Sequence, residues 1–116
     1  MATDAKGLGC EITITAPRLA GANLAADFVI TCNSDRSLHY EALIKHHRRL
    51  LPDQTMASVA DTQLMTKGQP FRGSLSGRCP GETSDYFSKL SIRAKPLASP
   101  EVIQTPRVMI TCRKGD

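Results

Sequence analysis

Three stretches of the chain alternate apolar or β-branched residues with others and then run into turn formers: "CEITITAP" from Cys10, "DFVITCNSD" from Asp27 and "RVMITCRKGD" from Arg107. Successive side chains leave opposite faces of an extended backbone, so a period of two marks a half-buried strand. "MASVADTQLMTKG", "PFRGSLSG" and "DYFSKLSIRAKP" read the same way, bounded by Pro52 with Asp53, Gly68 with Pro70, Pro80 with Gly81, and Pro96. In the last, Tyr86, Leu90, Ile92 and Ala94 share one face and Lys89, Ser91 and Arg93 the other, so the first face is expected inside and the second wet. Short strands divided by turn signals, without strand-to-helix alternation, predict an all-β antiparallel sandwich of about seven strands, or a barrel.

One segment fits two templates. Tyr40, Leu43, Ile44, His47, Leu50 and Leu51 make a helical stripe that Asp35 or Ser37 would cap, giving an α+β fold with a helix around residues 38–51. As a strand, Leu38, Tyr40, Ala42 and Ile44 alternate with Ser37, His39 and Glu41, and the alternation then puts His46 and Arg48 on the apolar side. A strand that leaves the sheet before His46 is the preferred expectation.

The 116 residues suit a single domain, placed at residues 10–113 after a flexible segment 1–9 and before a tail 114–116. With 41% hydrophobic and 22% charged residues, the composition argues against disorder or a fibrous repeat. No apolar run is long enough to cross a bilayer. Cysteine usage bears on compartment. Cys10, Cys32, Cys79 and Cys112 form no CxxC pair, and an even number in a short chain reads as bridges rather than as zinc ligands. The opening "MATDAKGLG" lacks the zones of a secretory signal, so the expectation is a secreted, extracellular or periplasmic protein whose leader is absent.

Four cysteines permit three pairings. If "CEITITAP" and "DFVITC" form a hairpin centred near Gly21, Cys10 and Cys32 stand equally far from the turn and face each other. "FVITC" ending at Cys32 resembles the second strand of the immunoglobulin fold, "FRGSLSG" its fifth, and "ETSDYFS" the acidic residue and tyrosine at the corner of its penultimate strand. Ser88 stands where that family's second core cysteine would lie, and the chain has no tryptophan. The resemblance therefore implies an immunoglobulin-like sandwich and carries no function. It also implies that Cys79 and Cys112 meet, after the fifth and seventh strands, at the end opposite Cys10.

Candidate chemistry centres on "IKHHRRLLP". A metal site is not expected. In a strand His39 and His47 stand roughly 26 Å apart, and in a helix His39 and His46 are still about 10 Å apart along the axis, against about 2 Å per metal–nitrogen bond. Lys45, Arg48 and Arg49 suit charge contacts, with His46 as a pH-sensitive auxiliary, and a net charge of +4 adds a field of the same sign. The bland reading of the run is a solvated strand end whose aliphatic stems cover the edge of the core. Arg78, beside a bridged cysteine in "SGRCPGET", would be presented by a stiff loop, as in many protease inhibitors. No nucleophile elbow, phosphate loop or zinc helix motif appears. With 4% aromatic residues, sequence-specific nucleic-acid recognition and sugar stacking are disfavoured. The function expected is thus a noncatalytic binding module without cofactor, contacting a protein or an anionic surface through Lys45, His46, Arg48, Arg49 and Arg78. Protease inhibition and strand-edge assembly are the alternatives.

Overall fold

The computed structural model describes residues 2–5, 8–81, 83–95 and 98–112, the first four by their backbone alone. Among the described residues ten strand segments follow one another: β1 (Ala2–Ala5), β2 (Cys10–Ile14), β3 (Arg18–Ala20), β4 (Asn23–Cys32), β5 (Arg36–His47), β6 (Gln54–Met65), β7 (Phe71–Arg78), β8 (Thr83–Arg93), β9 (Glu101–Gln104) and β10 (Val108–Thr111). Every pairing is antiparallel. The domain is all-β and disulfide-bridged, with two sheets in a sandwich-like arrangement. The helix considered for residues 38–51 is not formed, because alternation over Leu38, Tyr40, Ala42 and Ile44 buries one face of β5 in the core. Nor does the strand leave the sheet before His46. It runs through His47, with His46 opposite Tyr86 and His47 opposite Asp85.

The segment 1–9, expected to be flexible, contains β1, which pairs with β2 from Ala2 opposite Thr13 to Ala5 opposite Cys10. The tail at 114–116 lies outside the described residues.

Ten segments make only eight columns. β7 takes one edge of β4 from Asn23 to Ile30, so β2 and β3 share the other. Likewise β5 takes one edge of β8, and β9 and β10 share the other. One sheet therefore reads β1, β2 with β3, β4, β7; the other reads β6, β5, β8, β9 with β10. Each split column slips by one residue at a proline, Pro17 in one and Pro106 in the other, and proline cannot donate to a ladder.

The two breaks are bridged by the same device. Thr15 donates its N–H to the Asp27 carbonyl at 2.9 Å and accepts the Asp27 N–H on Oγ1 at 3.0 Å. Thr105 donates its N–H to the Ser88 carbonyl at 2.9 Å and accepts the Ser88 N–H on Oγ1, also at 2.9 Å. In each case a hydroxyl replaces the missing backbone acceptor. Thr105 is 3% exposed, whereas Thr15 faces solvent. Thr105→Val is therefore expected to cost about 1–3 kcal/mol by leaving the buried Ser88 amide unpaired, and Thr15→Val clearly less because water can replace the hydroxyl. Urea unfolding of the two variants checks this order, and equal midpoints would contradict it.

The core lies between the sheets. Ile12, Ile14, Leu24, Ala26, Phe28 and Ile30 from one meet Leu38, Tyr40, Ala42, Ile44, Leu90 and Ile92 from the other. Phe28, Tyr40 and Phe71 form a ring triad with centroids 5.3–6.2 Å apart. Gly73, opposite Phe28 in the ladder, leaves room for that ring, since a Cβ there would lie 2.3 Å from it. The outer face of β8 is drier than its alternation suggests: Phe87 and Ser91 are both buried, and Ser88, not Ala94, completes the inner row.

Both predicted bridges form. Cys10–Cys32 joins directly paired residues of β2 and β4, and Cys79–Cys112 ties the end of β7 to the end of β10, across the sheets. The hairpin centred near Gly21 sets the first pair. Among the described residues no helix is long and apolar enough to cross a membrane.

Candidate functional site: the cationic end

Alternation along β5 divides the basic run between two faces. His46 follows Ile44 inward and is 4% exposed, while Lys45 and His47 point outward. The His46 ring stacks on Tyr86 with centroids 5.0 Å apart, and its Nε2 meets Ser84 Oγ at 2.7 Å. Tyr86 in turn places its hydroxyl 3.8 Å from Cys112 Sγ. His46, Ser84, Tyr86 and the Cys79–Cys112 bridge thus close one end of the core. The aromatic stack and the hydroxyl contact make this histidine part of the interior, so the exposed charge of the run rests on its neighbours.

Those neighbours are largely engaged in building the β5–β6 turn. Lys45 Nζ donates to Thr55 Oγ1 at 2.9 Å, His47 Nδ1 meets Asp53 Oδ1 at 3.1 Å, and Arg48 Nε donates to the Pro52 carbonyl at 3.0 Å. Arg49 alone of the run is exposed with no polar partner among the described residues. The turn closes through the Leu51 N–H and the Arg48 carbonyl at 3.4 Å, which puts Leu50 at its third position with φ of +61°. Glycine suits that conformation, and a branched side chain pays for it with local strain. Leu50 is nonetheless 96% exposed and Leu51 58% exposed.

The ladders bring Arg78 to the same end. It closes β7 opposite Asn23, and the preceding Gly77 abuts the Met56 carbonyl near the start of β6. Cys79 bonds to Cys112, which follows Thr111 opposite Thr83 in β8. The β5–β6 turn, the segment after β7 and the end of β10 therefore share one end of the molecule. Arg48, Arg49 and Arg78 lie there, with Lys45 on the adjoining outer face. Arg78 belongs to the ladder itself rather than to the tip of a free loop, and its side chain is exposed.

The remaining candidate surfaces are less polarised. A shallow depression of about 470 Å³ on the outer face of the second sheet lies toward the other end, between His39, Glu41, Thr62 and Arg93. Glu41 and Arg93 oppose each other in charge, so it presents no single sign to a ligand. His39 Nδ1 meets Thr62 Oγ1 there at 2.7 Å. Tyr40, beneath it, has its phenol pushed above the ordinary 10.0 by burial and secondarily by the Asp61 carboxylate. The folded protein thus keeps a proton that the unfolded chain gives up, and this contribution to stability is lost as pH rises above 10.0. Among the described residues no three histidine, cysteine or acidic side chains converge as for a metal ion.

The sequence contains the basic residues but conceals the apolar tip. Leu50 and Leu51 fit a helical stripe with Tyr40, Leu43, Ile44 and His47, and no glycine marks the left-handed position. The one available signal was a leucine pair directly before Pro52 and Asp53, a turn-forming pair. Comparison of the chain with profiles of known protein families gave no match, and comparison with curated protein sequences gave none.

Proposed function

We propose that this chain is a noncatalytic binding module of an oxidising, extracytoplasmic compartment, built on an immunoglobulin-like sandwich, that contacts anionic surfaces through its cationic end. The observation that carries the reading is that Arg48, Arg49 and Arg78 lie at one end of the molecule, the end tied by Cys79–Cys112. A bridge between the sheets holds these loops in place before any partner arrives, which lowers the ordering entropy of association. Both bridges favour an exported setting. The column order supports the immunoglobulin-like path: β4 and β7 are neighbours in one sheet, β5 and β8 in the other, as the second and fifth and the third and sixth strands of that fold are. Lys45 and His46, anchored to Thr55 and buried against Tyr86, support the end rather than contact the partner.

The inhibitor reading has less behind it. Arg78 is held in the ladder with Asn23, which prevents its backbone from being offered as a free loop. Strand-edge assembly has the twelve-residue β6 in its favour, paired along one edge to β5. Yet Asp61 lies on its inward-facing row, opposite Tyr40, and an inward charge on an edge strand discourages further pairing.

Retention on immobilised heparin tests the charge reading. Arg48→Ala/Arg49→Ala is expected to elute at clearly lower salt than the native protein, with the far-ultraviolet spectrum unchanged. Co-elution of the two would refute contact through this turn.

A further inference from the structure

The turn that carries Arg48 and Arg49 also carries two leucines that the fold does not use. Leu50 is 96% and Leu51 58% exposed, and neither belongs to the core. Leu50 is the one described non-glycine residue with positive φ. A glycine would fit that backbone without strain and without showing an isobutyl group to water, so stability does not account for the leucine.

We infer that Leu50 and Leu51 enter the hydrocarbon of a bilayer bearing anionic headgroups, while Arg48 and Arg49 bind those headgroups. The inference rests on the charge reading above and specifies its surface. Three features favour a bilayer over a protein partner. The turn exposes two large apolar side chains, whereas a specific protein interface buries about 1,200–2,000 Å² in total, far more than two leucines supply. Residues 48–53 include no aromatic anchor of the kind that dominates protein contacts. Two exposed leucines directly after two arginines in one turn match the layering of an anionic membrane surface, with hydrocarbon beneath and phosphate above. Arg49 is exposed with no polar partner among the described residues, so it reaches headgroup phosphate without breaking an existing bond.

The test is cosedimentation of the full chain with phosphatidylcholine vesicles, with and without phosphatidylglycerol. Binding is expected only with the anionic lipid, and Leu50→Gly/Leu51→Ser is expected to weaken it by about tenfold or more. The same variant should keep its heparin retention and unfold at a slightly higher denaturant concentration, which separates lost insertion from lost folding. The native chain contains no tryptophan. Leu51→Trp therefore adds a single fluorophore, whose emission should shift to the blue on anionic vesicles and be quenched by brominated acyl chains. Equal vesicle binding by the native protein and the leucine variant overturns insertion and leaves the charge reading standing. Heparin retention without any vesicle binding has the same consequence. Failure to bind either anion overturns both readings. A mass that grows with protein concentration, and does so less in the leucine variant, assigns the tip to a second copy of the chain and overturns the bilayer.

Discussion

Gly77→Ala is expected to lower the free energy of unfolding by about 3 kcal/mol, the upper part of the range for overpacking a filled interior. A Cβ at this position would lie 2.0 Å from the Met56 carbonyl oxygen and 3.0 Å from the Ala57 Cβ. The nearest atom is backbone, so no rotamer change relieves the clash. The β7 edge of one sheet would have to move away from the start of β6 in the other. A loss of this size is a large share of the roughly 5–15 kcal/mol available to a domain. The strain falls beside Arg78 and close to the base of the β5–β6 turn, so heparin retention should fall along with stability. Gly81→Ala is the useful comparison, because no atom lies within 4 Å of a Cβ there and only its φ of +91° opposes the change. Chemical denaturation of both variants checks the argument. An unchanged midpoint for Gly77→Ala would show that the sheets do not approach as described.

Removing the second bridge, as Cys79→Ser/Cys112→Ser, is expected to cost about 3–4 kcal/mol by the loop-entropy argument, for a sequence separation of 33. The same argument gives about 3 kcal/mol for Cys10–Cys32, whose separation is 22. Similar totals should hide a difference in place. Cys10 and Cys32 are already opposite one another in a single ladder, so neighbouring hydrogen bonds hold β2 on β4 when the sulfurs are gone. Cys79 and Cys112 belong to different sheets and adjoin the packed group of His46, Ser84 and Tyr86. Loss of that bridge should open the cationic end locally. Amide exchange would report faster exchange over β10 and the start of β8, with β2 and β4 protected as before.

Ser88 occupies an inner, fully buried position of β8 without a bonding partner for its hydroxyl among the described residues. Its amide, in contrast, is satisfied by Thr105. The two bridges lie elsewhere, one within the first sheet and one at the end of the two sheets.

The long strands were legible because apolar period-two patterns survive wherever one face meets the core, as in β4 and β5. The Cys10–Cys32 pair was legible for a similar reason, since a hairpin centred on Gly21 fixes its register. The short segments β1, β3 and β9 span three or four residues each, too few for a period to emerge. Prolines 17 and 106 conceal the continuity of two columns, and the threonine hydroxyls that restore it act on partners 12 and 17 residues away. Residues 38–51 looked helical because outward Leu43 and His47 happened to align with Leu50 and Leu51, which belong to the turn. At the site, sequence supplies five basic candidates but not the contacts that separate engaged side chains from exposed ones. Their ranking depends on Thr55, Pro52 and Tyr86, which the fold brings to Lys45, Arg48 and His46.

The most direct measurement is a residue-resolved nuclear magnetic resonance titration of the oxidised protein with a heparin-derived oligosaccharide at low salt. The amide shifts are expected to concentrate at residues 48–53 and 76–81, the cationic end, and to fade as salt is raised. Shifts centred on the Cys10–Cys32 end or on the His39–Arg93 depression, or no shifts at all, would contradict the charge reading.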